Sequence, residues 1–397
     1  MGRRRQGLVV LGVLLAGVVA GCGSSGDPSG EGSWTERPRP GSGTAAGAAA
    51  DGSGAATDGG RDAAPRPEPP ELPLCTLSGP PVTAPGDVLI YGDDFTGNVV
   101  DPLKWSVRDG YKGHGTISNT VSPANAVVRD GSLFIVTERA PADPVHPYVS
   151  GWIDTISKFA RTYGKIEFRA RLSFSPGVWS ALWGRPWSQP FPEIDIELLN
   201  RSSKTAPQLY FVNHWAAPPL PAAERRAFVL IEDDDFTRFH SYAVLWKPNL
   251  LEYSVDGVTK MQRTGQGVPD LPVQWIINSW VGGWSGEPTA ATRFPHWLEV
   301  DHVHVYRVDG LIADPVLKIA NPRAQYGSSE AIEVMAANFD EACAHVAMYD
   351  GDRLVKTMST APFRFRLSAL APGQHRISFV ATDGVRSTTT SIDSRID

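Results

Sequence analysis

Phe191-Pro192-Glu193-Ile194-Asp195-Ile196-Glu197-Leu198-Leu199-Asn200 alternates acid and branched apolar residue without a break through its centre. A period of two is that of a β-strand, with Glu193, Asp195 and Glu197 on one face and Ile194, Ile196 and Leu198 on the other. Three carboxylates then share one surface, and no Lys or Arg is expected on that face to relieve them. A solvated acidic face on an amphipathic strand gives the same alternation. Like charges in a row weaken a sheet, however, and a strand kept only for stability would mix Lys, Arg or Thr among them.

The flanks are aromatic. Trp183-Gly184-Arg185-Pro186-Trp187 comes before the acids, and Asn213, His214 and Trp215 come after them. Indole faces stack on the apolar faces of sugar rings, so these surroundings suit a glycan cleft. A glycosidic bond is cut by two carboxyl groups, one protonated and one ionised, held roughly 5 Å apart when anomeric configuration is retained. Strand positions four apart have Cα atoms about 13 Å apart, a gap that two inward-leaning Glu side chains narrow. Repulsion among the three carboxyls favours one of them keeping its proton near neutral pH.

The rest of the chain divides by composition. Arg3, Arg4 and Arg5 followed by an apolar run from Leu8 to Ala20 form a secretory signal over residues 1–21. Val19-Ala20-Gly21-Cys22 resembles the lipobox of bacterial lipoproteins, which implies lipid on Cys22 and anchorage to a membrane outside the cytoplasm; an ordinary signal peptide or an uncleaved anchor is the alternative. Residues 22–75 are rich in Gly, Ser, Ala and Pro and bury too little apolar surface to offset their ordering entropy, so they read as a tether. Cys75 and Cys343 either pair or stay as free thiols.

Residues 85–308 carry short alternating runs, many aromatics and the hairpin signals Asp130-Gly131 and Asp256-Gly257, with almost no helical period. They read as one all-β sandwich. Residues 310–397 show further period-two runs at Val346–Tyr349, Phe363–Leu367 and Pro372–Phe379, a pattern of a smaller immunoglobulin-like sandwich. The 397 residues carry a formal net charge of -6, which leaves no electrostatic footprint for nucleic acid. Walker, dinucleotide and nucleophile-elbow motifs are not apparent. Twelve Trp fit a glycan cleft better than a plain sandwich. The chain is expected to act as a monomer on polysaccharide.

Glu193-Ile194-Asp195-Ile196-Glu197, together with the train Tyr163-Gly164-Lys165-Ile166-Glu167-Phe168-Arg169, Val178-Trp179-Ser180-Ala181-Leu182-Trp183 and Trp275-Ile276-Ile277-Asn278-Ser279-Trp280, resembles glycoside hydrolase family 16. The resemblance implies a β-jelly roll and a retaining endo-glycanase, with hydrolysis of a β-glucan the first expectation. A transglycosylase using the same site, or a glycan-binding module without turnover, are the alternatives. It makes Glu193 the nucleophile, Asp195 the residue that orients it, and Glu197 the general acid and then base, with no cofactor needed for chemistry. The strand lacks the extra bulged residue that one branch of the family carries, so it looks more like the lichenase and xyloglucan-transglycosylase branches than the laminarinases.

By the same resemblance Glu167, Arg169, Trp183, Asn213, Trp215, Asn278, Trp280 and Trp284 are expected to bind substrate. His214, out of phase with Asn213 and Trp215, is read as a core or loop histidine, with a cleft role as the lesser alternative. Trp246 is assigned to the core. A structural Ca²⁺ is expected on the Asp301 carboxylate and the Gly131 carbonyl. His302 and His304 alternate in register, but the sequence offers no third nitrogen or sulfur ligand beside them, which argues against zinc.

Overall fold

The computed structural model describes residues 87–397 except positions 114, 115, 141, 188, 217–225, 233, 309, 312, 340–344 and 383–385. The expected signal, Cys22, tether, Cys75 and Cys343 lie outside the described residues.

The alternating runs form two stacked sheets. In the seven-stranded sheet the order is Arg226–Ile231, Gln208–His214, Glu193–Asn200, Val178–Pro186, Val273–Val281, Trp152–Asp154, Ser106–Val107. The ten-stranded sheet has Gly164–Leu172 between His240–Lys247 and His296–Arg307, and Val88–Asp93 also pairs with His296–Arg307. Strands joined by hairpins alternate with pairs distant in sequence, such as Val178–Pro186 with Val273–Val281 and Gly164–Leu172 with His296–Arg307, as the crossovers of a jelly roll require.

Period two explains the layering. Ile194, Ile196, Leu198, Leu182, Phe211 and Ile277 from one sheet meet Ile166, Phe168, Val244 and Val303 from the other in a single core. Each such side chain fully removed from water contributes about 1.5–3 kcal/mol. Trp246 is buried in this core, and its indole N–H donates to Pro269 O at 3.0 Å. The two expected hairpin turns are present: Asp130 and Gly131 have φ of 52° and 74°, and Asp256 and Gly257 have φ of 48° and 78°. Both central residues in the left-handed region define the hairpin turn that follows strand twist, which Asp-Gly accommodates at little cost.

Residues from Val316 onward build a second sandwich with its own core. A three-stranded sheet (Val316–Ile319, Ala331–Ala337, Phe363–Arg366) faces a five-stranded one that includes His345–Asp350 and Gly373–Thr382. Ile332, Val334, Met348, Phe365 and Phe379 fill the space between them.

Candidate active site

Glu193–Asn200 pairs with Val178–Pro186 on one side and Gln208–His214 on the other, and neither ladder slips register. The acidic strand is therefore free of a bulge, and its odd-numbered side chains all point away from the core. The facing positions across the ladders are His214, Val212 and Tyr210 on one side, and Trp183, Ala181 and Trp179 on the other. Beyond these, Asn278 lies opposite Ala181 and Trp280 opposite Trp179. The outer face of the seven-stranded sheet thus gathers three carboxyls, an imidazole and a set of indoles.

The two Glu residues sit in different surroundings. Glu193 is half-buried, whereas Glu197 is 6 % exposed beneath the aromatic cover. Burial raises the Glu197 pKa to about 8, against an opposing hydrogen bond donated by the Trp179 indole to its carboxylate. Glu197 therefore holds a proton at neutral pH. Asp195, between them, is buried, with its Oδ2 3.8 Å from His214 Nε2. Two carboxyls on one strand, one held protonated by desolvation and one nearer solvent, make the acid-and-nucleophile division that glycosidic cleavage requires.

Aromatic rings bound the acids on both sides. Trp152 packs edge-on against Trp183 and Trp280, with centroids 6.2 and 5.3 Å apart, and Tyr111 lies 5.8 Å from Trp280. The Trp183 indole donates to Asn278 Oδ1 at 2.8 Å. On the other side Trp284 lies 5.9 Å from Trp179 and 5.5 Å from Tyr210, and the Arg226 guanidinium sits over its ring at 4.8 Å. Among these rings Trp280 is almost covered, while Trp183 and Trp284 keep part of their surface open.

Residues 118–298 match the sequence model described as "Glycosyl hydrolases family 16". The chain carries a family 16 glycoside hydrolase domain. A glucan endo-1,3-beta-glucosidase of Niallia circulans is 30% identical over 290 residues, which is 62% of this chain and 42% of the relative. The endo-1,3-1,4-beta-glycanase EglC of Rhizobium meliloti is 29% identical over 228 residues, 55% of this chain and 45% of the relative. The chain spans less than half the length of these two relatives. Among solved structures, the catalytic domain of an endo-1,3-beta-glucanase (laminarinase) from Thermotoga petrophila RKU-1 superposes with a TM-score of 0.51 at 27% identity, covering 57% of this chain and 100% of that one. Relatives named for 1,3-linked and for mixed-linkage glucan both match, so the unbulged strand alone does not sort this domain between those branches.

Within the family 16 domain, Glu193, Asp195, Glu197, Trp183, Asn278, Trp280 and Trp284 come together on the outer face of the seven-stranded sheet. Four other expectations need correction. Glu167 and Arg169 lie on Gly164–Leu172 in the ten-stranded sheet, where alternate residues Ile166, Phe168 and Ala170 take the core side. Both charged residues face outward, away from the acids: Lys165 Nζ is 3.4 Å from Glu167 Oε2, and Arg169 Nη1 is 3.2 Å from Asp301 Oδ2. Arg169→Ala is accordingly expected to leave glycan turnover unchanged and shift stability by no more than about 1 kcal/mol, as chemical denaturation will show.

Asn213 and Trp215 are likewise displaced from the cleft. Asn213 pairs with Ile194 on the core side, and its amide donates to Glu193 O and Gly267 O, each at 2.8 Å. The Trp215 ring lies under the Arg263 guanidinium at 4.7 Å and against Gly267. His214, read mainly as a core or loop residue, is the one beside the acids. The phase is set by the link from Asn200 to Gln208, which pairs Leu199 with Gln208 and so matches odd acids to even partners. Trp179, Tyr210, Arg185 and Arg226 were also missed as parts of this face. For Trp179 a signal existed, since it stands four before Trp183 on the same strand and so shares its side.

At the residue expected to offer calcium a carboxylate, Asp301 Oδ2 is 3.2 Å from Arg169 Nη1 and 2.9 Å from His302 Nδ1.

Proposed function

We propose that the family 16 domain is an endo-acting β-glucan hydrolase that retains anomeric configuration. The observation that carries this reading is the buried Glu197 carboxyl, protonated up to about pH 8, on the same strand face as the more accessible Glu193. Glu197 delivers its proton to the glycosidic oxygen as the Glu193 carboxylate attacks the anomeric carbon, giving a glycosyl ester on Glu193. The leaving chain diffuses away. Glu197, now ionised, takes a proton from water, which attacks the same carbon from the opposite side and frees Glu193. Asp195 and His214 hold the nucleophile's end of the site, and Trp183 and Trp284 offer ring faces to neighbouring sugars.

The activities for which the relatives are named support a β-1,3- or mixed-linkage glucan as substrate, and the reading extends to the whole chain working outside the cytoplasm as an anchored lipoprotein. Proton NMR of the first reducing ends released from laminarin and from mixed-linkage glucan tests the mechanism: the β-anomer should appear first, and initial α-anomer would overturn it. Trp284→Ala is expected to raise KM roughly 3- to 10-fold with little change in kcat, measured on the better of the two glucans, because one stacking face is lost.

A further inference from the structure

A second cluster of chemistry-bearing side chains lies on the opposite sheet. His302 and His304 project from the outward side of His296–Arg307, and their rings stack with centroids 4.1 Å apart and planes 18° from parallel. Asp94, just past Val88–Asp93, reaches across so that its Oδ1 is 2.8 Å from His304 Nε2. One donor atom from each of Asp94, His302 and His304 falls within 4.8 Å of the others.

The outer ring nitrogens are already held. His302 Nδ1 is 2.9 Å from Asp301 Oδ2, and His304 Nδ1 is 3.2 Å from Tyr306 Oη. Such bonds fix ring orientation and direct the second nitrogen inward, the arrangement found behind metal-binding histidines. His302 Nε2 is shielded from solvent and has no hydrogen-bond partner, with Glu167 Oε1 3.5 Å away. Room for the His304 ring comes from Gly92, its partner across the ladder, where a Cβ would come within 2.9 Å of His304 Cδ2.

We propose that Asp94, His302 and His304 form a binding site for a divalent first-row transition ion of the zinc class, with Glu167 in reach as a fourth donor. Two imidazoles and carboxylate oxygens suit Zn²⁺, Co²⁺, Ni²⁺ or Cu²⁺, whereas Ca²⁺ takes oxygen ligands. The sequence hid the site because the third donor is a carboxylate 210 positions from His304. An ion here joins the turn after the domain's first strand to its last strand. Its effect is on stability rather than turnover, since the acids lie on the other sheet.

The test uses the full chain without an affinity tag, stripped with EDTA and titrated with ZnCl₂ by calorimetry, with Tm measured in parallel. The expected result is one Zn²⁺ per chain and a Tm increase of about 5 °C at a hundredfold excess over Kd. His304→Ala and Asp94→Asn should each weaken binding at least about 10-fold and remove most of the increase, with glucan turnover intact. Co²⁺ in the unsubstituted protein should give the intense visible bands of four- or five-fold coordination, a readout that does not depend on any variant folding. Absence of Zn²⁺ binding, binding unchanged in both variants, a weak octahedral Co²⁺ spectrum, or a Tm increase from Ca²⁺ but not Zn²⁺ would overturn the proposal.

Discussion

Glu193→Gln is expected to lower kcat on β-glucan by roughly four orders of magnitude or more while substrate binding persists. The substitution keeps shape and hydrogen-bonding length at the strand's start but removes the attacking charge. A glycan-binding module without turnover would lose nothing. Glu193→Ala carries the point further, because azide supplied in solution would enter the vacated space and attack the anomeric carbon from the nucleophile's side. The product would be the α-glycosyl azide, whereas a β-azide, or no rescue together with full activity in Glu193→Gln, would assign the nucleophile elsewhere.

The second large effect belongs to Glu197. Its raised pKa sets the alkaline limb of kcat/KM near pH 8, since the free enzyme must enter the cycle with that proton in place. Glu197→Gln should lower kcat/KM on polysaccharide by about 10²–10⁴ and abolish the limb, with a much smaller loss on aryl glycosides whose leaving groups need no proton. Stability follows from the same group with a definite sign. The folded pKa of about 8 exceeds the ordinary glutamate value of 4.5, so between those limits the folded state binds the extra proton and stability falls as pH rises. Glu197→Gln should therefore match the unsubstituted protein in Tm near pH 4 and exceed it near pH 8. A variant less stable at pH 8 than at pH 4, relative to the parent, would count against a buried, proton-holding carboxyl.

How much of this was legible in the sequence depends on the range over which each fact is decided. Alternation along Glu193–Asn200 and the Asp-Gly turns are local, so strand, face and hairpins could be read directly. The side on which a neighbouring strand presents its residues is decided by register across a loop, and one residue of slip exchanges Asn213 for His214. Glu167 and Arg169 sit in a strand that reads like those of the cleft, yet which of two stacked sheets it joins depends on pairing with His240–Lys247 and His296–Arg307, far away in sequence. The assumption that no cation relieves the acids failed for the same reason: the Glu193 carboxylate acts on Arg185, which a different strand brings to that face.

The most direct measurement is mass spectrometry of the protein after incubation with a 2-deoxy-2-fluoro-β-glucosyl or laminaribiosyl fluoride, which forms the glycosyl ester quickly and releases it slowly. The label should reside on the peptide bearing Glu193, and Glu197→Gln should still accept it. Label on any other carboxylate, or none under conditions where glucan is cut, would contradict the assignment.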